Sequence, residues 1–487
     1  MDWTPDRSKK VPIYKQIAEY IESGILDGTF PPESVLPSER VLAKDLQVNR
    51  STVVAAYDEL QANGLIERKK GSGTIVNRGI WGFSKKRIPS WNRYIEAGSF
   101  LPNLPMVQQI RMETEVHNPI NLASGELSDD LIPYDFFRKV LVEKTFAGRL
   151  GYDHPQGNIA LRETISEHVR EFRNIETRPS SILITSGAQQ ALHLIIQCLL
   201  TPGDAVAIED PSYSYSLPVF RSAGLKTFLL PVDQYGINPD DLISLNKKHR
   251  IRMIFVNPFF QNPTGAMLSS ERRKKILEIS EEYGIPVIED DPYSLTSFSG
   301  EKIATLKSSN YNNVLYVSSL SKIVASGLRI GWIIGPTPVI ERLADAKQQV
   351  DFGHSTFTQW MANEFLQTGF FSSHINFLRD RLKQRRDQIT SSLDQFLHEQ
   401  VEFSPPNGGI HLWCKLKTDI DETSLLQESI KYGVVFVPGT VLGSQKGFIR
   451  FTFSREKAEF IHEGIGRFAQ AIERLESSKK NFFISDF

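Results

Sequence analysis

Apolar positions in the first 80 residues recur at intervals of three and four, and then switch to an interval of two. Ile13, Ile17, Tyr20, Ile21 and Ile25 share one face of a predicted helix that stops at Gly28. Val41, Leu42 and Leu46 mark a short second helix opened by Pro37-Ser38. A third helix carries Val53, Ala56, Tyr57 and Leu60 as its stripe, with Arg50, Ser51 and Thr52 at its start and Asn63-Gly64 as its stop. Residues 65–68 and 74–77 read as strands about the turn Lys69-Lys70-Gly71-Ser72-Gly73. From 79 to 117 the periodicity fades and Pro89, Pro102 and Pro105 interrupt short apolar pieces, which predicts an interdomain linker. Beyond it, apolar runs at 182–185, 205–209, 252–257, 285–290, 314–318 and 329–334 alternate with helical segments, the pattern of a largely parallel sheet covered by helices.

A chain of 487 residues exceeds what one core organises, which fits a head of 1–78, a linker of 79–117 and a body of 118–487. The 56 Lys+Arg nearly balance the 57 Asp+Glu, so whole-chain charge points to neither nucleic acid nor membrane. Locally it does. The first 93 residues hold 15 Lys+Arg against 11 Asp+Glu, much of the excess in residues 68–70 and 85–87 and at Arg93. Cys198 and Cys414 are far apart and the histidines lack ligand spacing, so no metal site is expected and a reducing compartment is. The start MDWTPDRSKK has no apolar signal core and no apolar run is long enough for a bilayer, which leads us to expect a cytoplasmic protein without membrane contact.

Three short helices and a basic hairpin describe a winged helix-turn-helix, whose third helix offers polar side chains to base edges. The string LPSERVLAKDLQVNRSTVVAAYDELQANGLIERKKGSGTIV, residues 36–76, resembles the GntR family of DNA-binding regulators. The resemblance implies that Arg40 holds phosphate, that Asn49, Arg50, Ser51 and Thr52 face the groove, and that Lys69, Lys70 and Gly71 form the wing of a double-stranded-DNA reader. Many relatives carry Arg shortly after the Thr. Here Val53-Val54 follows, so one contact differs. A protein-binding winged helix is the alternative.

In a parallel sheet ligands collect beyond the carboxyl ends of strands. Those ends read Ser186-Gly187-Ala188-Gln189, Asp210-Pro211-Ser212-Tyr213, Asn257-Pro258 running to Asn262-Pro263-Thr264-Gly265, Asp290-Asp291-Pro292-Tyr293 and Ser319-Leu320-Ser321-Lys322. Taken singly each is ordinarily a turn. In this order they resemble the fold-type I pyridoxal-phosphate enzymes, the aspartate aminotransferase superfamily, which implies an α/β transferase fold with a mostly parallel sheet and large and small subdomains. By that resemblance Lys322 forms the aldimine with pyridoxal 5'-phosphate, and a neighbouring cation and burial favour its neutral amine. Asp290, rather than its neighbour Asp291, keeps the ring nitrogen protonated. Tyr293 and Asn262 bond the phenolic oxygen, and Tyr213 covers a ring face. Gly187, Ala188 and Gln189 at a helix start, with Ser319, Ser321 and Arg329, hold the phosphate. Tyr152, in GYDHPQGNIALRE, reaches the phosphate of a partner subunit. Arg450, in GFIRFTFS, clamps an amino-acid carboxylate, and Gly125 gives the substrate room.

A GntR-type head joined to an aminotransferase-like body resembles the MocR subfamily of GntR regulators. That likeness implies a homodimer that reads paired half-sites and senses an amine or amino acid through the aldimine on Lys322. The alternative is a working class I aminotransferase with a DNA-binding head, and partial transaminase activity is compatible with either.

Overall fold

In the computed structural model the described residues are 3–9, 11–26, 28–69, 73–77, 97–146, 148, 150–309 and 312–485. The chain folds as two units, Met1–Ser99 and Phe100–Phe487.

The first unit holds α1 (Ile13–Leu26), α2 (Glu39–Asp45) and α3 (Arg50–Ala62), followed by the antiparallel hairpin β1 (Ile66–Lys69) and β2 (Gly73–Val76). Ile17, Ile21 and Ile25 pack on Leu42, Leu46, Val53, Ala56, Tyr57 and Leu60 in one core. The Ser38 hydroxyl accepts from the Val41 backbone N–H and so caps α2. Val41 itself is 51% exposed, against the stripe expected of it. Leu42 and Leu46, spaced i and i+4, define the buried face, and Val41 sits one residue off it. Lys70, Gly71 and Ser72, and the basic residues 85–87 and 93, lie outside the described residues.

The second unit begins before residue 118. Pro105 starts a helix, Pro105–Val116, whose Ile110 is buried and whose Met106 and Val107, with the preceding Leu104, pack on the main core. Proline there is a first-turn helix residue, where its missing N–H costs nothing, and not a linker breaker.

Next come β3 (Ile120–Asn121) and then β4 (Ile182–Thr185), β5 (Ala205–Asp210), β6 (Lys226–Asp233), β7 (Gly236–Ile237), β8 (Met253–Val256), β9 (Val287–Asp290), β10 (Val314–Ser319) and β11 (Gly331–Ile334). The last eight form one sheet in the order β4-β11-β10-β9-β8-β5-β6-β7. Strands β10, β9, β8, β5 and β6 are parallel, while β11 runs against both β10 and β4. Every residue of β4, β5 and β8–β11 is buried, as two covered faces require. Along β5, Val206 and Ile208 join the core under helices Ala188–Leu199 and Thr337–Asp351. Ala205 and Ala207 join the opposite core, under Pro239–His249 and Ser270–Tyr283.

A smaller layer follows. It contains β12 (Val401–Phe403), β13 (His411–Leu416), β14 (Val434–Val435), β15 (Val437–Pro438) and β16 (Phe448–Thr452). An antiparallel sheet β12-β13-β16-β15 forms, and β14 pairs in parallel with β3. Among the described residues no helix is long and apolar enough to cross a membrane.

Candidate functional site

The carboxyl ends of β4, β5, β9 and β10 and the facing strands β13 and β16 border one cavity of about 370 Å³. Gly125, Gly187, Ala188, Gln189, Tyr213, Asn262, Asp290, Tyr293, Ser319, Ser321, Lys322, Arg329 and Arg450 all line it, which brings together every cofactor and substrate residue expected of this chain's own site, Tyr152 being expected at a partner's.

Asp290 ends β9. The Tyr213 hydroxyl donates to its Oδ2, while its Oδ1 is buried with no partner. Burial raises the Asp290 carboxyl to about 6, against the hydrogen bond from Tyr213. Asp291 is engaged otherwise. It accepts from Arg173 Nε at 3.2 Å, Tyr316 at 2.9 Å and both the backbone N–H and hydroxyl of Ser294. It is a structural hub under the sheet, and Asp290 is the carboxylate with a free oxygen. Tyr213, expected across a ring face, is joined to Asp290 through its hydroxyl.

Lys322 follows β10, and its Nζ donates to the Gly125 carbonyl at 2.5 Å. Burial pushes this ammonium below its ordinary range, Glu126 opposes that, and the Arg450 charge adds to it. A Cβ at Gly125 would stand 3.7 Å from Nζ and 3.3 Å from His411. Arg450, on β16, is buried. Its Nη1 donates to Asn262 Oδ1 at 3.0 Å and Nη2 to the Ala123 carbonyl at 2.5 Å, while Nε has no partner. Burial lowers its guanidinium to about 10. Burial also raises the Tyr293 phenol, so it stays protonated, although the Arg450 charge and a hydrogen bond from Asn262 pull the other way.

At the other end, helix Ala188–Leu199 starts from Gly187, whose φ is 80°. Its free N–H groups and dipole favour an anion. Arg329 Nη2 donates to Ser186 O at 2.7 Å and lies 2.9 Å from where a Gly187 Cβ would be, so glycine is what lets the guanidinium close over the helix start. Ser319 and Ser321 are buried beside it.

Tyr152 is 89% exposed, with its ring 5.6 Å from that of Phe352, and takes no part in this chain's cavity. Among the lining residues that sequence reasoning did not assign, two are titratable. Glu126, whose carboxylate accepts from Ser326, follows a glycine with no motif of its own. His411, bonded to Tyr293 and Thr452, was passed over because histidines were read only for ligand spacing.

In the first unit Arg40, Asn49, Arg50 and Ser51 are exposed and Thr52 is half-buried. A groove of about 500 Å³ is lined by Glu39, Arg40, Arg50, Arg68 and Lys69. Arg50 is bound to Glu39 at 2.9 Å, Arg68 reaches the same carboxylate at 3.3 Å, and Lys69 pairs with Glu67 at 2.6 Å. Glu39 therefore ties the start of α3 to the hairpin, a link that the linear pattern did not reveal.

Residues 117–468 match the family described as aminotransferase class I and II, and residues 13–76 match bacterial regulatory proteins of the gntR family. The chain is 39% identical over 476 residues to the uncharacterized HTH-type transcriptional regulator YdfD of Bacillus subtilis, covering 97% of this chain and 98% of that one. It is 31% identical over 448 residues to the HTH-type transcriptional regulator NorG of Staphylococcus aureus, covering 90% and 100%. Among solved structures, the kynurenine aminotransferase of Pyrococcus horikoshii in complex with PMP superposes with a TM-score of 0.74 at 32% identity, over 79% of this chain and 98% of that one.

Proposed function

This chain belongs to the aminotransferase class I and II family and carries a gntR-family head, the MocR architecture, and on that premise we propose that it is a homodimeric transcription regulator sensing an amine or amino acid. The cofactor of this fold is pyridoxal phosphate. The residues present suit it. The orphaned Asp290 Oδ1 is an acceptor for a protonated ring nitrogen, and the start of helix Ala188–Leu199 with Arg329 is a seat for a phosphate dianion. When bound, the group supplies an aldehyde that condenses reversibly with primary amines.

The chain's own residues do the rest. Lys322 is the amine that would hold that aldehyde, and burial, which pushes its ammonium below the ordinary range, favours the neutral form such a bond would require. Arg450 meets the effector's carboxylate. Doing so exchanges its hold on Asn262 and Ala123 for a bidentate pair, which favours one arrangement of the two layers over the other. The head binds DNA, and two heads on a dimer read paired half-sites. The convergence of Lys322, Asp290 and Arg450 on one cavity, in a chain whose other unit is a winged helix, carries this reading.

Visible absorption of the purified chain under a panel of primary amines, with footprinting on its own upstream DNA in the same samples, tests it. A spectral change confined to one amine or a few, with an altered footprint, supports the sensor. Full turnover to a keto acid with no footprint supports the second reading, a working aminotransferase, which the intact set of Lys322, Asp290 and Arg450 favours.

A further inference from the structure

Residues 123–126 follow β3 and meet the cavity in succession. The Ala123 carbonyl accepts from Arg450 Nη2, and the Gly125 carbonyl accepts from Lys322 Nζ at 2.5 Å. The Glu126 carbonyl accepts from the Ser454 hydroxyl at 2.6 Å, and its side chain lines the cavity, with Oε1 accepting from the Ser326 hydroxyl at 3.0 Å. Ser326 lies between Lys322 and Arg329 on the connection from β10 to β11, so this carboxylate is held against the segment that carries the amine. Ala123 and Glu126 are three residues apart, which separates their Cα atoms by at most about 11 Å. The carboxylate clamp, the amine and an anion are thereby gathered on the scale of one small amino acid.

The charged side chains that line the cavity are Glu126, Asp290, Lys322, Arg329 and Arg450. On the reading proposed above, four of them have a counterpart: Arg329 a phosphate, Asp290 a ring nitrogen, Lys322 an aldehyde and Arg450 a carboxylate. Glu126 has none. Among the described residues its carboxylate forms no ion pair, and the neutral Ser326 hydroxyl is its hydrogen-bond donor. Its charge nonetheless reaches into the site, where it supports the Lys322 ammonium against burial.

We infer that Glu126 is a specificity-determining residue of the cavity and that the effector is an α-amino acid whose side chain carries a second cationic group, as in a diamino acid. The inference rests on the reading of the cavity as a pyridoxal-phosphate sensor. With Arg450 on the α-carboxylate and Glu126 on the distal ammonium, such a molecule meets an opposite charge at each end. A dicarboxylic amino acid brings a second anion to the same place and is repelled. The Glu126 side chain is exposed at the mouth, so the pairing is partly solvated and weakens with salt.

Full-length protein loaded with pyridoxal phosphate is titrated with length-matched amino acids, and the visible spectrum gives each apparent Kd. L-ornithine and L-lysine are expected to bind about fivefold or more tighter than L-norvaline and L-norleucine, the upper end for an exposed pair, with L-glutamate weakest. Glu126→Gln brings that ratio near one by weakening the diamino acids alone, and Glu126→Lys turns the preference toward L-glutamate. A wild-type ratio near one, or a ratio that survives in Glu126→Gln, overturns the inference while the neutral amino acids still report an intact sensor. A second readout needs no cofactor. In the cofactor-free chain the pH midpoint for acetylation of Lys322 by acetic anhydride, followed by peptide mass spectrometry, falls in Glu126→Gln because a stabilising anion is lost. An unmoved midpoint takes Glu126 out of the cavity and overturns the inference as well. A spectrum indifferent to every amino acid, with the Lys322 midpoint shifted as expected, overturns the reading of the cavity and the effector class with it, and leaves Glu126 beside the amine.

Discussion

Tyr213 donates its hydroxyl to one oxygen of Asp290, and the other oxygen of that carboxylate is buried with nothing to accept from. A buried half-satisfied acceptor is costly, and Asp290 lines the same cavity as Lys322. Asp290→Asn keeps the shape and the Tyr213 bond but removes the anion. Pyridoxal phosphate is expected to bind about 10- to 100-fold more weakly, the range for losing a hydrogen bond to a charged group, as measured by fluorescence titration.

The same substitution has a pH signature in the cofactor-free chain. The folded Asp290 carboxyl sits near 6, above its ordinary 3.8, because burial disfavours the charge. A folded-state pKa raised in this way means that ionisation costs stability. The wild type therefore loses stability as pH rises from about 4 to about 6, by on the order of 2–3 kcal/mol, and is flat above. Asn has no such cost. Denaturant midpoints of the two proteins should diverge over that window in favour of the variant, and parallel profiles would refute the assignment.

Lys322→Ala should abolish borohydride trapping of pyridoxal phosphate entirely while leaving noncovalent uptake through Arg329 and Asp290. Peptide mapping after reduction reads this directly. A tag surviving elsewhere in the chain would place the reactive amine wrongly.

Gly187→Ala puts a methyl 2.9 Å from Arg329 Nη2 at a φ of 80°. Both effects act at the helix start. Inorganic phosphate and cofactor should each bind at least about tenfold more weakly, with a stability loss of about 1 kcal/mol from the backbone alone. Isothermal titration with phosphate separates the two.

In the head, Arg50→Ala should relax sequence preference at one position, at a cost of about 1–3 kcal/mol for specific DNA. Arg40→Ala should weaken all sequences alike and lower the salt slope by about 1. Salt titrations on specific and scrambled duplexes distinguish a base contact from a phosphate contact.

Much of the body was legible because chemistry sits at strand ends. Strands expected at 182–185, 205–209 and 285–290 appear as β4, β5 and β9, and the polar words that follow them meet at the cavity. Residues whose roles depend on the partner across a sheet were not legible. His411 acquires its place from Thr452 opposite on β16, and Glu39 from Arg50 and Arg68, eleven and twenty-nine residues on. Residues 105–116, expected within a linker, form a helix for a different reason. Proline density signals irregular chain, but Pro105 occupies the one helical turn that tolerates it. Val41 was counted with Leu42 and Leu46 although a seven-residue helix has room for only one buried face.

Strand β11 lies between β4 and β10 and runs against both, so the connection 320–330 leaves β10 and returns beside it, closed by the bond from Leu320 N to Ile330 O. Lys322 and Arg329 both ride on that short excursion. The gap between the reactive amine and the cation at the anion seat is thus a fixed ruler cut into one layer of the molecule. The smaller layer carries Arg450 and His411 and supplies neither end of that ruler, so a substitution on β13 or β16 can reshape the far wall of the cavity while this spacing is left undisturbed.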